Sequence, residues 1–148
     1  MNIKKPRIKR IYEDNFGLET KREFSYKYIH FYAPAMSKIA EEFTPFENKM
    51  VMGLANSIGK NNNMLLNLIG KPAESKKEIL CALGYLSKSS TPMNLLNNLI
   101  NKDVIKKVKN EKTFCGYVYY VNPYIMYYGS VVDDTTLEVF HDSEWKVL

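Results

Sequence analysis

Thr91-Pro92-Met93-Asn94-Leu95-Leu96-Asn97-Asn98-Leu99-Ile100-Asn101-Lys102 is the stretch on which the fold turns. A hydroxyl followed by proline marks a helix start, with Thr91 at the N-cap and Pro92 at N1, and the pattern runs to about Lys102. At about 100° per residue, Leu95, Leu96, Leu99 and Ile100 share one side while Asn94, Asn97, Asn98 and Asn101 share the other. The leucine side docks on a body. The asparagine side is unusual, because asparagine is a mediocre helix former and Glu, Lys or Ala would serve plain helicity better. A short amide carrying one acceptor and two donors matches adenine N7 and N6 in the major groove, so this face is expected to read A·T-rich duplex. The plainer alternative is a solvated polar face in an asparagine-rich chain, as at Asn61 to Asn63.

Working outward, Ala73 to Leu83 has helical character, with Ile79, Leu80 and Leu83 on one face and Gly84 as its stop. The polar linker from Tyr85 to Ser90 is brief, so the two helices predict a helix-turn-helix. Lys88, Ser89, Ser90 and Thr91 stand at the entrance of the second helix, where hydroxyls and backbone N–H groups suit phosphate. After Asp103 the pattern becomes strand: Val104, Ile105 and Val108, a turn at Lys109 to Lys112, then Thr113 to Val121. Lys106, Lys107, Lys109 and Lys112 crowd this hairpin against Glu111 alone, and are expected to hold phosphate beside the groove that the helix enters. Lysines also protect sheet edges, and both roles are compatible. Tyr117, Tyr119 and Tyr120 could stack on bases, but alternation on a sheet accounts for them more simply. Asn122-Pro123 ends the strand, and Tyr124 to Tyr128 continues apolar as far as Gly129.

Upstream, Thr44-Pro45-Phe46-Glu47 places hydroxyl, proline and glutamate at N-cap, N1 and N3, the best-marked helix start in the chain. Phe46, Met50, Val51, Leu54, Ala55 and Ile58 are expected on its inner face, with Gly59 and the following Lys60 to Asn63 as its end. Met64 to Ile69 predicts a strand, and Met36, Ile39, Ala40 and Phe43 predict a short helix ending near Glu42. Tyr26 to Tyr32 fits either a strand or a first helical turn. The expected class is therefore α+β, mainly helical: a winged helix-turn-helix with a C-terminal β-hairpin wing.

With 45% apolar residues in 148, the chain can fill one core and is not disordered throughout. Three stretches follow: a basic flexible arm over 1–24, the winged domain over 25–130 and an acidic extension over 131–148. The arm, rich in Lys4, Lys5, Arg7, Lys9 and Arg10, is either mobile or simply a solvated leader. The acidic extension could be a solvated tail, a screen over basic surface or a docking site for a host protein, while Phe140 and Trp145 anchor it to the body or to a second subunit. The net charge of +5 suits a polyanionic partner. Cys81 and Cys115 are too few for a disulfide framework and too far apart for a zinc knuckle, and are expected to be packing residues. Without a signal peptide or membrane span in the pattern, the expectation is a cytoplasmic protein that makes no membrane contact.

Glu78-Ile79-Leu80-Cys81-Ala82-Leu83-Gly84, then Leu95 to Ile105 (LLNNLINKDVI), then Gly116-Tyr117-Val118-Tyr119-Tyr120-Val121-Asn122-Pro123-Tyr124-Ile125 leading to Gly129 form a recognisable series. Across about residues 26 to 130 the chain resembles the RepL-type replication initiators of small plasmids from Gram-positive bacteria. The Thr44 helix followed by Asn63-Met64-Leu65-Leu66 is similar to the helix and strand before that family's helix-turn-helix. The resemblance implies a winged helix that binds an origin or operator and supports plasmid replication or copy control. The asparagine-heavy helix, Pro92 and the acidic extension depart from the pattern.

Catalysis is not expected. A rolling-circle nicking site would pair a tyrosine with neighbouring histidines, whereas His30 and His141 lie far apart. Asp133, Asp134 and Glu138 lack a cation-loop pattern, and no phosphate-binding glycine loop or nucleophile triad occurs, so neither cofactor nor metal is expected. The expected partner is double-stranded DNA, bound by a homodimer over paired half-sites. A second reading is a phage- or plasmid-encoded inhibitor of a host protein on the same scaffold, engaged through the acidic tail.

Overall fold

The structure, a computed structural model, describes residues 7–13, 19–25, 28–85 and 90–147. Lys4, Lys5, Lys88 and Ser89 thus lie outside the described residues. The elements run in the order β1 (Arg7–Glu13), β2 (Glu19–Ser25), β3 (Ile29–Phe31), α1 (Ala33–Glu42), α2 (Pro45–Leu54), α3 (Lys76–Ala82), α4 (Thr91–Asn101), β4 (Ile105–Lys109), β5 (Tyr117–Val121), β6 (Met126–Tyr128) and α5 (Asp134–Val139), then a 3₁₀ turn at Glu144–Val147. The class is α+β.

The strands pair antiparallel as β1 with β2, β3 with β6 and β4 with β5. The first pair, in which Arg7 to Glu13 is aligned residue by residue with Ser25 to Glu19, falls mostly within the stretch expected to form a basic arm. The segment Tyr26 to Tyr32, which by sequence fits either a strand or a helical turn, contains β3, and Tyr32 N–H donates to the Ile125 carbonyl at 3.1 Å just beyond its pairing with β6.

Helix α2 is fixed by the capping box seen in the sequence: Thr44 Oγ1 accepts from Glu47 N–H at 3.2 Å, and Glu47 Oε1 accepts from Thr44 N–H at 2.9 Å. Its inner face is Met50, Val51 and Leu54, all fully buried. Phe46 is 69% exposed, contrary to expectation, although its neighbour Glu47 in the same turn is buried. The helix also stops at Leu54, and Ile58 instead pairs with Leu65 in an isolated bridge. Of the strand expected over Met64 to Ile69, only Met64 to Leu66 form bridges. Leu68 and Ile69 are exposed on a turn where Asn67 Oδ1 accepts from the Ile69 and Lys71 N–H groups. A side-chain acceptor here outcompeted the ladder.

Met64 bridges Tyr120, Leu65 N–H donates to the Tyr119 carbonyl at 2.8 Å, and Val121 N–H donates to the Asn63 carbonyl at 2.9 Å. Residues 63–65 therefore lie along the free edge of β5, so helix, short strand, two helices and hairpin follow one another. Helix α3 starts at Lys76 with Ser75 as N-cap, three residues later than the sequence indicates, and ends at Ala82, with Gly84 just beyond the C-cap at a left-handed φ of 87°. Helix α4 begins at Thr91 with Ser90 in the cap position, one residue earlier than the sequence indicates. Strand β5 begins at Tyr117, not Thr113, since Thr113 folds its Oγ1 back to donate to the Asn110 and Tyr117 carbonyls.

One cluster joins Ile39, Met50, Val51, Leu54, Ile79, Leu80, Leu96 and Leu99 of the helices with Ile105, Tyr119 and Val121 of the hairpin. Ala40 of α1, expected inside, is exposed, and Ala35 is buried instead. On the reverse face of the hairpin, Val118 and Tyr120 pack with Phe140 from beyond α5. The residues after 130 therefore close the body. Phe140 is fully buried, Trp145 is 3% exposed, and Trp145 Nε1 donates to the Lys102 carbonyl at 2.9 Å. Fully burying one large apolar side chain contributes about 1.5–3 kcal/mol, which explains why this acidic stretch does not float free. Asn122 ties the corner: its Nδ2 donates to the Asp103 carbonyl at 2.9 Å and to Ser143 Oγ at 2.7 Å, and its Oδ1 accepts from Tyr124 N–H. Gly129 is required where it stands, since its φ is 116° and a Cβ there would collide with Asn61 Oδ1.

Candidate nucleic-acid interface

The amide face of α4 looks outward. Asn94, Asn98 and Asn101 are exposed while Leu96 and Leu99 on the opposite side are fully buried. Asn97 is half-buried, and its Oδ1 accepts from Lys76 Nζ at 2.7 Å across the crossing of α3 and α4. That bond occupies part of the acceptor a bidentate adenine contact needs, so Asn97 is the least available of the set. Lys76 is a cation that sequence reading missed. It opens α3 and only the crossing of the helices brings it to the amide face.

Ser90 and Thr91 are exposed at the start of α4, and Ser90 makes no side-chain capping bond. The far end of the helix is anchored by Lys102, whose Nζ lies 2.9 Å from both Glu47 carboxylate oxygens and 4.4 Å from the Phe43 ring centroid. The Glu47 side chain is 3% exposed. Burial pushes its pKa up, but the Thr44 backbone N–H and the Lys102 ammonium outweigh burial, so the carboxyl stays ionised below the usual range. This pair fixes α4 against α2.

The hairpin register separates the lysines by face. Ile105, Lys107 and Lys109 pair with Val121, Tyr119 and Tyr117, and Ile105, Tyr119 and Val121 belong to the helix-side core. Lys107 and Lys109 therefore extend from the face that carries the helices, and both are exposed. The Lys107 ammonium sits 4.2 Å from the Tyr117 ring centroid. Lys106 points the other way. Its Nζ donates to the Val139 carbonyl at 3.0 Å and pairs with Asp142 at 3.4 Å, holding the Asp142 carboxyl below its usual pKa. Lys106 thus belongs to the closure of the C-terminal segment, a correction to its expected place beside Lys107. Lys112 is exposed in the loop between the strands.

Tyr119 and Tyr120 are buried on opposite faces of the sheet, as alternation predicts, while Tyr117 is 40% exposed. The cysteines correct another expectation: Cys81 and Cys115 are both free and exposed, on the outer side of α3 and in the hairpin loop. Asp133 caps α5, its Oδ1 accepting from Thr136 N–H at 2.8 Å. Among the described residues no group of three or more His, Cys, Asp and Glu side chains could hold a metal, and no helix is long and apolar enough to cross a membrane. No protein-family model, curated protein or solved structure matches the chain.

Proposed function

We propose that the chain is a sequence-specific duplex-DNA-binding protein of winged helix-turn-helix architecture that initiates or controls plasmid replication or regulates transcription. The observation that carries this reading is the pairing of an outward amide face on α4, at Asn94, Asn98 and Asn101, with exposed Lys107 and Lys109 on the helix-bearing face of the hairpin. In this reading α4 lies in the major groove and reads adenine, while the hairpin is the wing and its lysines, with Lys76, Lys112 and Ser90, hold phosphate. The element order from α2 through residues 63–65, α3 and α4 to the hairpin supports the architecture. The resemblance to RepL-type initiators supports the replication role. The protein acts in the cytoplasm, as a homodimer on paired half-sites, and without catalysis.

The inhibitor reading needs an acidic tail free to grip a host protein. Burial of Phe140 and Trp145 ties that segment to the body, so DNA is preferred. Selection of bound sequences from random duplexes by the purified protein tests the proposal. Enrichment of an A·T-containing, twofold-symmetric site is expected; recovery of unenriched sequence after repeated rounds would sink sequence-specific binding.

A further inference from the structure

Of the four asparagines on the outward side of α4, only Asn97 is bonded through its side chain. Its Oδ1 accepts from Lys76 Nζ at 2.7 Å, whereas Asn94, Asn98 and Asn101 make no side-chain hydrogen bond among the described residues. The bond settles which way the amide points, because an ammonium has three donors and no acceptor, and only the carbonyl oxygen can face it. A charge-assisted bond is also roughly twice as strong as a neutral one, so the N–H of an incoming base does not displace it. Nδ2 is then the atom left for a ligand. It has no acceptor, and the buried side-chain atoms without a partner are Asn61 Oδ1 and Asn63 Oδ1, so Nδ2 reaches solvent.

Nothing competes with Asn97 for this ammonium. Helix α4 carries no charged side chain, Glu78 accepts from Glu74 N–H at 2.7 Å, Glu74 accepts from Phe114 N–H at 2.6 Å, and no acid pairs with Lys76 among the described residues. In the major groove guanine offers two acceptors, N7 and O6, while adenine offers an acceptor and a donor, thymine one acceptor beside its methyl group, and cytosine a donor. An amide restricted to donating therefore matches guanine. Against adenine it leaves the N6 donor unpaired, which costs the desolvation of that group.

We propose that Lys76 is a positioning residue that makes Asn97 read guanine, setting one G·C pair into a site that Asn94, Asn98 and Asn101 read as A·T. The proposal rests on α4 lying in the major groove and deepens that reading by assigning a base to one side chain. The two remaining ammonium protons of Lys76 stay free for phosphate, so one lysine couples backbone position to base choice.

Sequence selection from random duplexes by the parent, Asn97→Ala, Lys76→Met and Lys76→Arg tests this. The position read by Asn97 is the one whose preference Asn97→Ala abolishes. There the parent should select guanine, and replacing that guanine by adenine or by 7-deazaguanine should weaken parent binding about fivefold, equivalent to about 1 kcal/mol for a contact made by one nitrogen. Lys76→Arg, which still donates to Oδ1, should keep guanine. Lys76→Met frees the oxygen and should change the preference to adenine at that position alone. Adenine, thymine or no preference in the parent overturns the proposal, as does a Lys76→Met protein that binds more weakly but still selects guanine, which would make Lys76 a phosphate contact only. In each of these cases sequence-specific binding stands. The 7-deazaguanine arm uses the parent alone and so decides even if a variant fails to fold. A parent that enriches no sequence overturns the groove reading itself.

Discussion

Replacing Lys107 and Lys109 together by alanine, beside a separate Lys106→Ala variant, pits the two faces of the hairpin against each other. Lys107 and Lys109 are exposed on the helix-bearing face, whereas Lys106 Nζ lies 3.0 Å from the Val139 carbonyl and 3.4 Å from Asp142 on the reverse. Each phosphate neutralised on duplex DNA adds about 0.9 to the slope of log affinity against log salt, so the double variant should flatten the slope by about 1.8. Between about 50 and 200 mM salt, the parent should then lose about 12-fold more affinity than the double variant does. Lys106→Ala should leave the slope unchanged and instead lower the melting temperature slightly, because it releases the C-terminal segment. Fluorescence anisotropy of a selected duplex titrated at several salt concentrations gives the slopes, and thermal melts of the free proteins complete the comparison. If Lys106→Ala flattens the slope by half as much as the double variant does, or more, the division of the hairpin into two faces is wrong as an account of binding.

Asn98→Ala should relax sequence preference by about 1–3 kcal/mol for a lost bidentate base contact. Asn97→Ala should cost less, since its carbonyl oxygen is already taken by Lys76; competition between selected and scrambled duplexes ranks them, and equal effects would contradict the geometry. Lys102→Met should destabilise the protein by about 2 kcal/mol in urea denaturation, below the range for a fully enclosed ion pair because the Lys102 side chain is 38% exposed. The Glu47 carboxyl titrates below its unfolded value of about 4.5, so its stabilisation is complete above that pH and is lost as pH falls through the lower folded value. Glu47→Gln should accordingly flatten the acid side of the melting-temperature profile, and an unaltered profile would show that the pair does not control it. Trp145→Ala should cost about 3–5 kcal/mol, visible as a lower urea midpoint, if the C-terminal segment closes the core as described.

The helix starts were legible because they rest on local chemistry. Thr44, Pro45 and Glu47 form in space the capping box they spell in sequence, and the leucine and asparagine sides of α4 separate as their spacing requires. What depended on distant partners was not legible. Phe46 has the spacing of a core residue but nothing stands opposite it, and Lys106 and Lys107 differ only in which face a two-residue period gives them. The packing of Phe140 and Trp145 is long-range, and the acidic residues around them masked it. Lys76 had no sequence signal, since a helix crossing alone defines its place.

Trp145 is the one tryptophan in the chain, and its indole N–H is bonded to the backbone at the end of α4, edge-on to Phe43 and 4.6 Å beneath the Lys38 ammonium. A single indole thus stands at the anchored end of the helix proposed to enter DNA. Excited apart from the eleven tyrosines, it reports from that spot, so a ligand that tilts or draws out α4 changes the indole spectrum of the unlabelled protein, and one that merely settles on the lysines leaves it unchanged.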